Sequence, residues 1–251
     1  MDLNADLGEG FGIWRLGDDD ALLDVVTSAN VACGFHAGDP ATMRRVTSGA
    51  AERGIAVGAQ VGYRDLAGFG RRPIGYAFEE LRDEVLYQLA ALDGFCRAAG
   101  TRVRYLKPHG ALYHAAAQDE GQAAAVVAAV RDYDRALPVL TLPGSVLARL
   151  AGTAGLRVVA EGFADRNYLP GGGLVPRSAS TALVERADDV AARAVRMAMD
   201  GSVVAVDGAV VPCRVESICL HGDTPGAVTL AGRVRAALAE AGVPLAPFAP
   251  N

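Results

Sequence analysis

Short apolar segments alternate with longer amphipathic segments along most of the chain. Short apolar runs bounded by polar or glycine positions are typical of strands that are buried on both faces. The runs that predict strands are Asp2–Asp6, Ser28–Cys33, Ile55–Ala59, Val103–Leu106, Pro138–Leu142, Arg157–Ala160 and Ser217–Leu220.

Helical periodicity separates several of these runs. In residues 77–99, apolar side chains recur every three or four positions, which predicts a helix with one buried face. Residues 39–53 predict a second helix in which Asp39 is the N-cap, with a ligand role for Asp39 as the alternative. Residues 185–200 and 225–241 follow the same pattern, and residues 203–211 predict a β-hairpin that turns at an Asp-Gly pair.

This alternation predicts one α/β domain that covers residues 1–251. About seven strand–helix units without a linker favour a single (β/α) barrel, and a doubly wound open sheet is the alternative. The small hairpin is an insert in this pattern. Two predicted loops, Val61–Tyr76 and Gly162–Ser180, have the length of functional loops.

Composition excludes several classes of function. The net charge is −5 with no basic block, which gives no support for nucleic-acid binding. No run of roughly 18 apolar residues predicts a membrane span, and no secretory signal is evident. The four cysteines show no CxxC spacing, so we expect reduced thiols in a cytoplasmic protein. Catalysis by Cys33 or Cys219 is the alternative to four inert buried thiols.

The first strand carries unexpected polar side chains. Asn4 and Asp6 share one face of the predicted strand, because strand side chains alternate with period two, and Glu9 follows the strand. An unpaired buried polar group costs about 1–3 kcal/mol. These residues are therefore expected to be tied into a network or directed at a ligand.

Polar residues also collect at the carboxyl ends of the other predicted strands. Parallel barrel strands direct these ends to one face, where active sites are built. Three of the four histidines follow a strand in this way, which favours an enzyme. The residues at the strand ends are Asp6, Glu9, His36, Gln60, Lys107, His109, Asp165, Arg166, His221 and Asp223.

Several of these residues have more than one interpretation. Lys107 and His109 are two potential cations at one strand end, and function is favoured there. Asp6, His36 and His109 form a carboxylate and two imidazoles, a set that could bind a divalent metal, although no local HxxxH or HxH spacing supports it. Asp223 could instead cap the last helix.

The loop residues and the remaining histidine also have competing interpretations. Arg71-Arg72 is either a solvated charge pair or a clamp for an anion or a partner surface. His114 follows His109 by about one helical turn and is interpreted as structural.

Six segments resemble the LamB/YcsF family, the A subunit of bacterial ATP-dependent 5-oxoprolinase. The resemblance extends from residue 2 to about residue 240. The segments are Asp2-Leu-Asn-Ala-Asp-Leu-Gly-Glu9, Ser28-Ala-Asn-Val-Ala-Cys-Gly-Phe-His-Ala-Gly-Asp39, Lys107-Pro-His-Gly-Ala-Leu-Tyr113, Phe163-Ala-Asp-Arg166, Leu174-Val-Pro-Arg-Ser178 and Cys219-Leu-His-Gly-Asp223.

The resemblance implies a seven-stranded (β/α) barrel of the glycoside hydrolase/deacetylase type. It also implies that 5-oxo-L-proline, ATP and water give L-glutamate, ADP and phosphate, with partner subunits B and C; a homo-oligomer is left open. Because no GxxxxGK[ST] motif is present, we expect ATP chemistry on the partner subunits or at an unrecognised site. The third strand of the family often ends Gly-Ala-His, but Gln60 stands at this position here, which weakens the case for a metal.

For the reaction that the resemblance implies, we propose the following residue roles as a hypothesis. Asp6 is the general base or a metal ligand, Lys107 and His109 stabilise an oxyanion or protonate the ring nitrogen, and His36 and His221 orient water or donate a proton. Arg166 or Arg177 pairs with the substrate carboxylate. The other expected substrate-binding residues are Asn4, Glu9, Gln60 and Asp223. Two alternatives remain: a stand-alone metal-dependent amide or sugar deacetylase, and a non-catalytic binding subunit.

Overall fold

Seven parallel strands close into a barrel, with helices between successive strands. This computed structural model describes residues 1–177, 179–223 and 226–249. Closure is direct, because the first strand pairs with both the second and the last, so the open-sheet alternative is wrong. The barrel strands are β1 Asp2–Leu7, β2 Ser28–Ala32, β3 Ala56–Val61, β4 Val103–Pro108, β5 Val139–Thr141, β6 Val158–Phe163 and, after the hairpin strands β7 Ser202–Val204 and β8 Val210–Pro212, β9 Ser217–Leu220.

The four helices predicted from periodicity are confirmed, and others are present that the sequence did not predict. Asp39 is the N-cap of α2, where its carboxylate accepts hydrogen bonds from the backbone N–H groups of Ala41 and Thr42. The predicted start of the last helix at residue 225 lies outside the described residues. The helices are α1 Asp19–Leu23, α2 Pro40–Glu52, α3 Phe78–Ala98, α4 Gly110–Ala116, α5 Glu120–Tyr133, α6 Val146–Thr153, α7 Ala187–Asp200 and α8 Ala227–Glu240.

Helices α1, α4, α5 and α6 were missed for local reasons. Helices α1, α4 and α6 are short, between five and eight residues, so they contain too few turns to show a period. Helix α5 is rich in alanine and valine, which weakens the contrast between its two faces. The predicted hairpin is confirmed as the antiparallel pair of β7 and β8.

Several strands extend beyond their predicted ends. Strand β3 continues through Gln60, β4 through Lys107, and β6 through Glu161 to Phe163. The predicted loop from Gly162 therefore begins later, and one of its residues, Ser178, lies outside the described residues. The prediction stopped each strand at its first polar residue, but here polar side chains continue into the barrel interior.

The two faces of strand β1 differ in polarity. On β1, Leu3 and Leu7 are buried in the core between strands and helices, whereas Asp2, Asn4 and Asp6 lie on the other face. This polar face belongs to a chain of hydrogen bonds across the barrel interior. This hydrogen-bonded face therefore leads along the barrel interior to its carboxyl-terminal end.

A glycine makes room for one large side chain inside the barrel. A Cβ atom at Gly58 would overlap the ring of Tyr105, which is fully buried. The Tyr105 hydroxyl donates a hydrogen bond of 2.6 Å to Asn30 Oδ1. All four cysteines are free and buried, and no helix in the described part of the chain is long and apolar enough to cross a membrane.

Candidate active site

A buried lysine lies between two buried carboxylates at the carboxyl-terminal end of the barrel. Lys107 Nζ is 2.7 Å from Glu161 Oε1, 3.2 Å from Asp6 Oδ1 and 3.0 Å from Cys219 Sγ. Burial lowers the pKa of Lys107, but Asp6, Cys219 and Glu161 outweigh it and raise the pKa well above its ordinary value. Burial raises the pKa of Glu161, an effect that Lys107 opposes. The lysine is therefore a fixed cation in this cluster.

Amide side chains in the barrel interior hold Asp6 in place. Asn30 Nδ2 donates hydrogen bonds to Asp6 Oδ1 at 2.8 Å and to Asn4 Oδ1 at 2.6 Å. Asn4 Nδ2 in turn donates to Ser217 Oγ at 2.6 Å. Asn4 is therefore engaged in the interior network beneath the cavity rather than placed to meet a substrate.

A histidine held by an aspartate lies near the same end of the barrel. His221 Nδ1 is 2.7 Å from Asp165 Oδ2, and the same oxygen accepts the backbone N–H of His221 at 3.0 Å. Burial raises the pKa of Asp165, but the charge and hydrogen bonds of His221 outweigh it and keep the pKa below its ordinary value. The Phe163 ring stacks on the imidazole. These contacts occupy Nδ1 and leave Nε2 as the ring nitrogen available for chemistry.

A second cluster combines a carboxylate with two stacked imidazoles. The rings of His36 and His109 lie 4.0 Å apart between centroids, and His109 Nε2 is 3.7 Å from Glu9 Oε1. Gln60 contacts both His36 and Glu9. Its Oε1 is 3.2 Å from His36 Nε2, and its Nε2 is 3.4 Å from Glu9 Oε1. Gln60 is therefore a link within this cluster.

Burial favours the neutral form of every titratable group in this cluster. Burial lowers the pKa of His36 to about 4. Burial, together with the nearby His36 and Arg71, lowers the pKa of His109 well below its ordinary value. Burial and the Asp6 charge raise the pKa of Glu9 well above its ordinary value. Arg71 opposes these effects on Glu9 but does not outweigh them.

Glu9, His36 and His109 could together hold a divalent metal ion. One donor atom from each lies within 4.8 Å of the others, and the Nδ1 atom of each imidazole is buried without a hydrogen-bond partner in the described structure. A carboxylate with two neutral imidazoles is a suitable donor set for an open catalytic site. The sequence expected Asp6 in this set; the structure brings Glu9 there instead, because Asp6 is engaged by Asn30 and Lys107.

A cavity of about 730 Å³ lies at the carboxyl-terminal face and is lined by some residues of each cluster. Its lining includes Asp6, Lys107, His109, His221, Arg166 and Arg177 from the predicted set. The predicted residues outside its lining are Asn4, Glu9, His36, Gln60 and Asp223.

The three arginines in the cavity lining differ in how their donors are used. Arg166 donates from Nη2 to the Val175 carbonyl at 2.6 Å and from Nε to the Ala182 carbonyl at 3.3 Å, so it holds its own loop. Arg71 and Arg177 both pair with Asp223. Asp223 therefore orients two arginines, where the sequence left open a role as a helix cap.

Comparison with known proteins places this barrel in a family. The family model described as "LamB/YcsF family" matches residues 1–251. The chain belongs to the LamB/YcsF family.

Relatives of this LamB/YcsF chain match along its full length. The A subunit of 5-oxoprolinase from Streptomyces avermitilis is 61% identical, over 99% of this chain and 100% of the relative. The protein of the same name from Paracidovorax citrulli is 55% identical, over 99% of both chains. The crystal structure of a lactam utilization protein from Thermus thermophilus superposes with a TM-score of 0.93 at 43% identity, covering 99% of this chain and 98% of that one.

Sequence reasoning missed Glu161 of the LamB/YcsF barrel, gave Asp165 no role and left the role of Arg71 open. Glu161 is a charged residue within an apolar strand, the same signal that singled out Asp6 on β1. Asp165 was noted at a strand end but received no role, and Arg71 was left between a solvated charge and an anion clamp. Their partners come from other strands and loops, so local sequence contains no signal for the pairing.

Proposed function

We propose that this chain is the A subunit of an ATP-dependent 5-oxoprolinase, a single catalytic domain that opens the lactam of 5-oxo-L-proline to L-glutamate. The observation that carries the proposal is the cavity that brings Asp6, Lys107 and His221 together. Relatives named as A subunits of 5-oxoprolinase, together with a lactam utilization protein, support the choice of substrate. The proposal assigns lactam activation by ATP to partner subunits B and C, in the cytoplasm.

Hydrolysis of the activated lactam needs a base, a cation and an acid. Asp6 takes a proton from water through Oδ2, since Asn30 and Lys107 both contact Oδ1. In the activated lactam, the lactam oxygen carries the phosphoryl group transferred from ATP. The water oxygen bonds to the lactam carbon, and Lys107 stabilises the negative charge at that phosphorylated oxygen. His221, held by Asp165, donates a proton to the ring nitrogen as the C–N bond breaks. C–N cleavage leaves the new amine and an acyl phosphate, and a second water then releases phosphate and gives the new carboxylate of glutamate.

Reconstitution tests this proposal directly. We expect the chain, mixed with candidate B and C subunits, 5-oxoproline and ATP, to form L-glutamate and ADP in equal amounts. Leaving out any one subunit should abolish glutamate formation. Glutamate formation by B and C without this chain would contradict the proposed role.

The Glu9–His36–His109 cluster favours a second candidate function, a stand-alone metal-dependent amide or sugar deacetylase. A divalent metal held there would supply Lewis-acid polarisation of a carbonyl oxygen. Hydrolysis of acetylated amides or sugars by the isolated chain without ATP, lost on chelation and restored by metal, would favour this candidate. Activity that needs ATP and both partners would favour the first.

Binding of Zn²⁺ to this cluster is expected to release protons. Without a cation, burial holds Glu9 toward its protonated form, whereas a ligand carboxylate must be ionised. The two imidazoles are already neutral, because their pKa values are lowered, and so release none. Affinity should therefore fall as the pH is lowered. Isothermal titration calorimetry in buffers of different ionisation enthalpy measures the release.

A matched pair of variants controls this measurement. Glu9→Gln should lose most of the proton release and weaken Zn²⁺ binding, whereas Glu120→Gln, at an exposed position on α5, should behave like the wild-type protein. Equal proton release from Glu9→Gln and the wild-type protein would show that Zn²⁺ binds elsewhere.

A further inference from the structure

Two arginines from different loops share one carboxylate beside the cavity. Arg71 Nη2 is 2.6 Å from Asp223 Oδ2, and Arg177 Nη2 is 3.2 Å from Asp223 Oδ1. Arg71 comes from the loop between β3 and α3, Arg177 from the loop after β6, and Asp223 follows β9. Both arginines line the cavity and Asp223 does not. The carboxylate therefore holds the two guanidinium groups without occupying the cavity.

Among the described residues, the two guanidinium groups carry one positive charge more than the carboxylate that they share. Burial raises the pKa of Asp223, but Arg177 and Arg71 outweigh it and lower the pKa, so the carboxylate remains ionised. Two guanidinium groups then face one carboxylate. Each guanidinium has five N–H donors, and the contacts to Asp223 use only some of them. The charge and the spare donors suit one further carboxylate.

Arg71 is held in position before any ligand binds. Its guanidinium lies over the Phe69 ring at 4.8 Å from the centroid. The preceding residue, Gly70, accepts a hydrogen bond of 2.8 Å from the Ala111 backbone N–H. Gly110 has a φ of +56°, and a Cβ atom there would lie 2.5 Å from the Gly70 carbonyl oxygen. The close contact between this loop and the start of α4 reduces the conformational entropy that Arg71 would lose on binding.

The two buried cations of the cavity lining, Arg166 and Lys107, are less suited to bind an anion. Arg166 directs Nε and Nη2 at backbone carbonyls of its own loop. Lys107 lies between Asp6 and Glu161, whose charges compensate it. Arg71 and Arg177 therefore form the arginine pair with both charge and donors to spare.

We propose that Arg71 and Arg177 form a clamp for the carboxylate of the lactam substrate, with Asp223 as the positioning residue that aligns them. This inference rests on the proposed function, which supplies 5-oxoproline as the substrate, and it assigns Arg71 a role in specificity. Guanidinium groups suit a carboxylate because they bind it through two parallel hydrogen bonds. The same cavity continues to Asp6, Lys107 and His221, so a ligand held by the clamp lies in the same space as the catalytic groups.

Substrates with and without the carboxylate test the clamp. In the reconstituted complex, Arg71→Ala and Arg177→Ala should each raise KM for 5-oxoproline by about 10- to 100-fold, the loss expected for hydrogen bonds to a charged group. The KM for 5-oxoprolinamide, whose neutral amide replaces the carboxylate, should change little. Arg71→Lys should recover only part of the loss, because lysine keeps the charge without the fork.

Arg64→Ala is the matched control, because Arg64 lies on the same loop, is exposed and does not line the cavity. Equal changes in KM for the acid and the amide, or no change for either, would overturn the clamp.

Direct titration of the full chain with 5-oxoproline and L-glutamate separates the two proposals. Arginine-dependent binding without turnover in the complex would support the clamp and contradict the proposed function. Turnover by the complex without binding of either ligand to the chain would overturn the clamp alone.

Discussion

Replacing Asp6 with asparagine is expected to lower kcat of the reconstituted complex by about 10²- to 10⁴-fold, the range that general acid–base groups contribute. The amide cannot accept a proton from water at neutral pH, whereas the carboxylate can. The change is nearly isosteric, so the Asn30 contact and the barrel should persist. Glutamate formation at saturating 5-oxoproline and ATP measures the loss, and circular dichroism checks the fold.

Asp93→Asn is a matched control for the loss of a buried carboxylate. Asp93 lies on α3, outside the barrel, where it pairs with Arg97 and accepts the Val103 backbone N–H. We expect Asp93→Asn to lower the free energy of unfolding while kcat stays close to the wild-type value. If Asp6→Asn changes the affinity for 5-oxoproline but leaves kcat intact, the catalytic assignment is wrong and the chain serves only to bind the substrate.

Replacing Lys107 with methionine is expected to lower the free energy of unfolding by about 3–5 kcal/mol, the usual cost of removing one partner from a buried ion pair. Methionine fills much of the volume but leaves Asp6 and Glu161 buried without their shared cation. Turnover should also be lost, because the cation that stabilises the negative charge at the lactam oxygen is removed. Urea unfolding, followed by circular dichroism, measures the change in stability.

The pH dependence of this change distinguishes charge from packing. Burial already raises the pKa of Glu161 above 4.5, and losing Lys107 removes the main opposing effect, so the pKa rises further. A carboxyl group whose pKa is raised by folding destabilises the folded state as the pH rises above its unfolded pKa. The loss in free energy of unfolding caused by Lys107→Met should therefore be large at neutral pH and smaller as the pH falls toward 4.5.

A double variant completes the test. Lys107→Met with Glu161→Gln removes one of the two uncompensated charges, so it should recover part of the stability while turnover stays absent. The result could instead be a loss of unfolding free energy that is independent of pH, or no increase in unfolding free energy in the double variant. Either result would mean that lost packing rather than unpaired charge destabilises Lys107→Met.

Much of the fold could be predicted from the sequence, because its signals are local. All seven barrel strands were predicted in order, since each is a short apolar run with a polar end. The carboxyl-terminal face was predicted as the place where polar residues meet, and Asp6, Lys107, His109 and His221 do line one cavity there. Their catalytic roles stay predictions until turnover is measured.

The pairing of these residues could not be predicted in the same way. Asp6 was expected beside His36 and His109, but Glu9 takes that place and Asp6 contacts Lys107. The position of each carboxylate in the closed barrel decides which cluster it joins. Residue spacing does not report that position, since the partners lie on β1, β2 and β4 or just after them.

The sequence by itself determined the order of the strands, the alternation of apolar and polar faces and the end of the barrel that carries the chemistry. These features depend on side-chain period and on neighbours in the chain, which the sequence contains directly. Only the tertiary structure decided that Lys107 pairs with Glu161, His221 with Asp165, and Arg71 with Asp223. Barrel closure sets these distances, and with them the local desolvation and charge of each group.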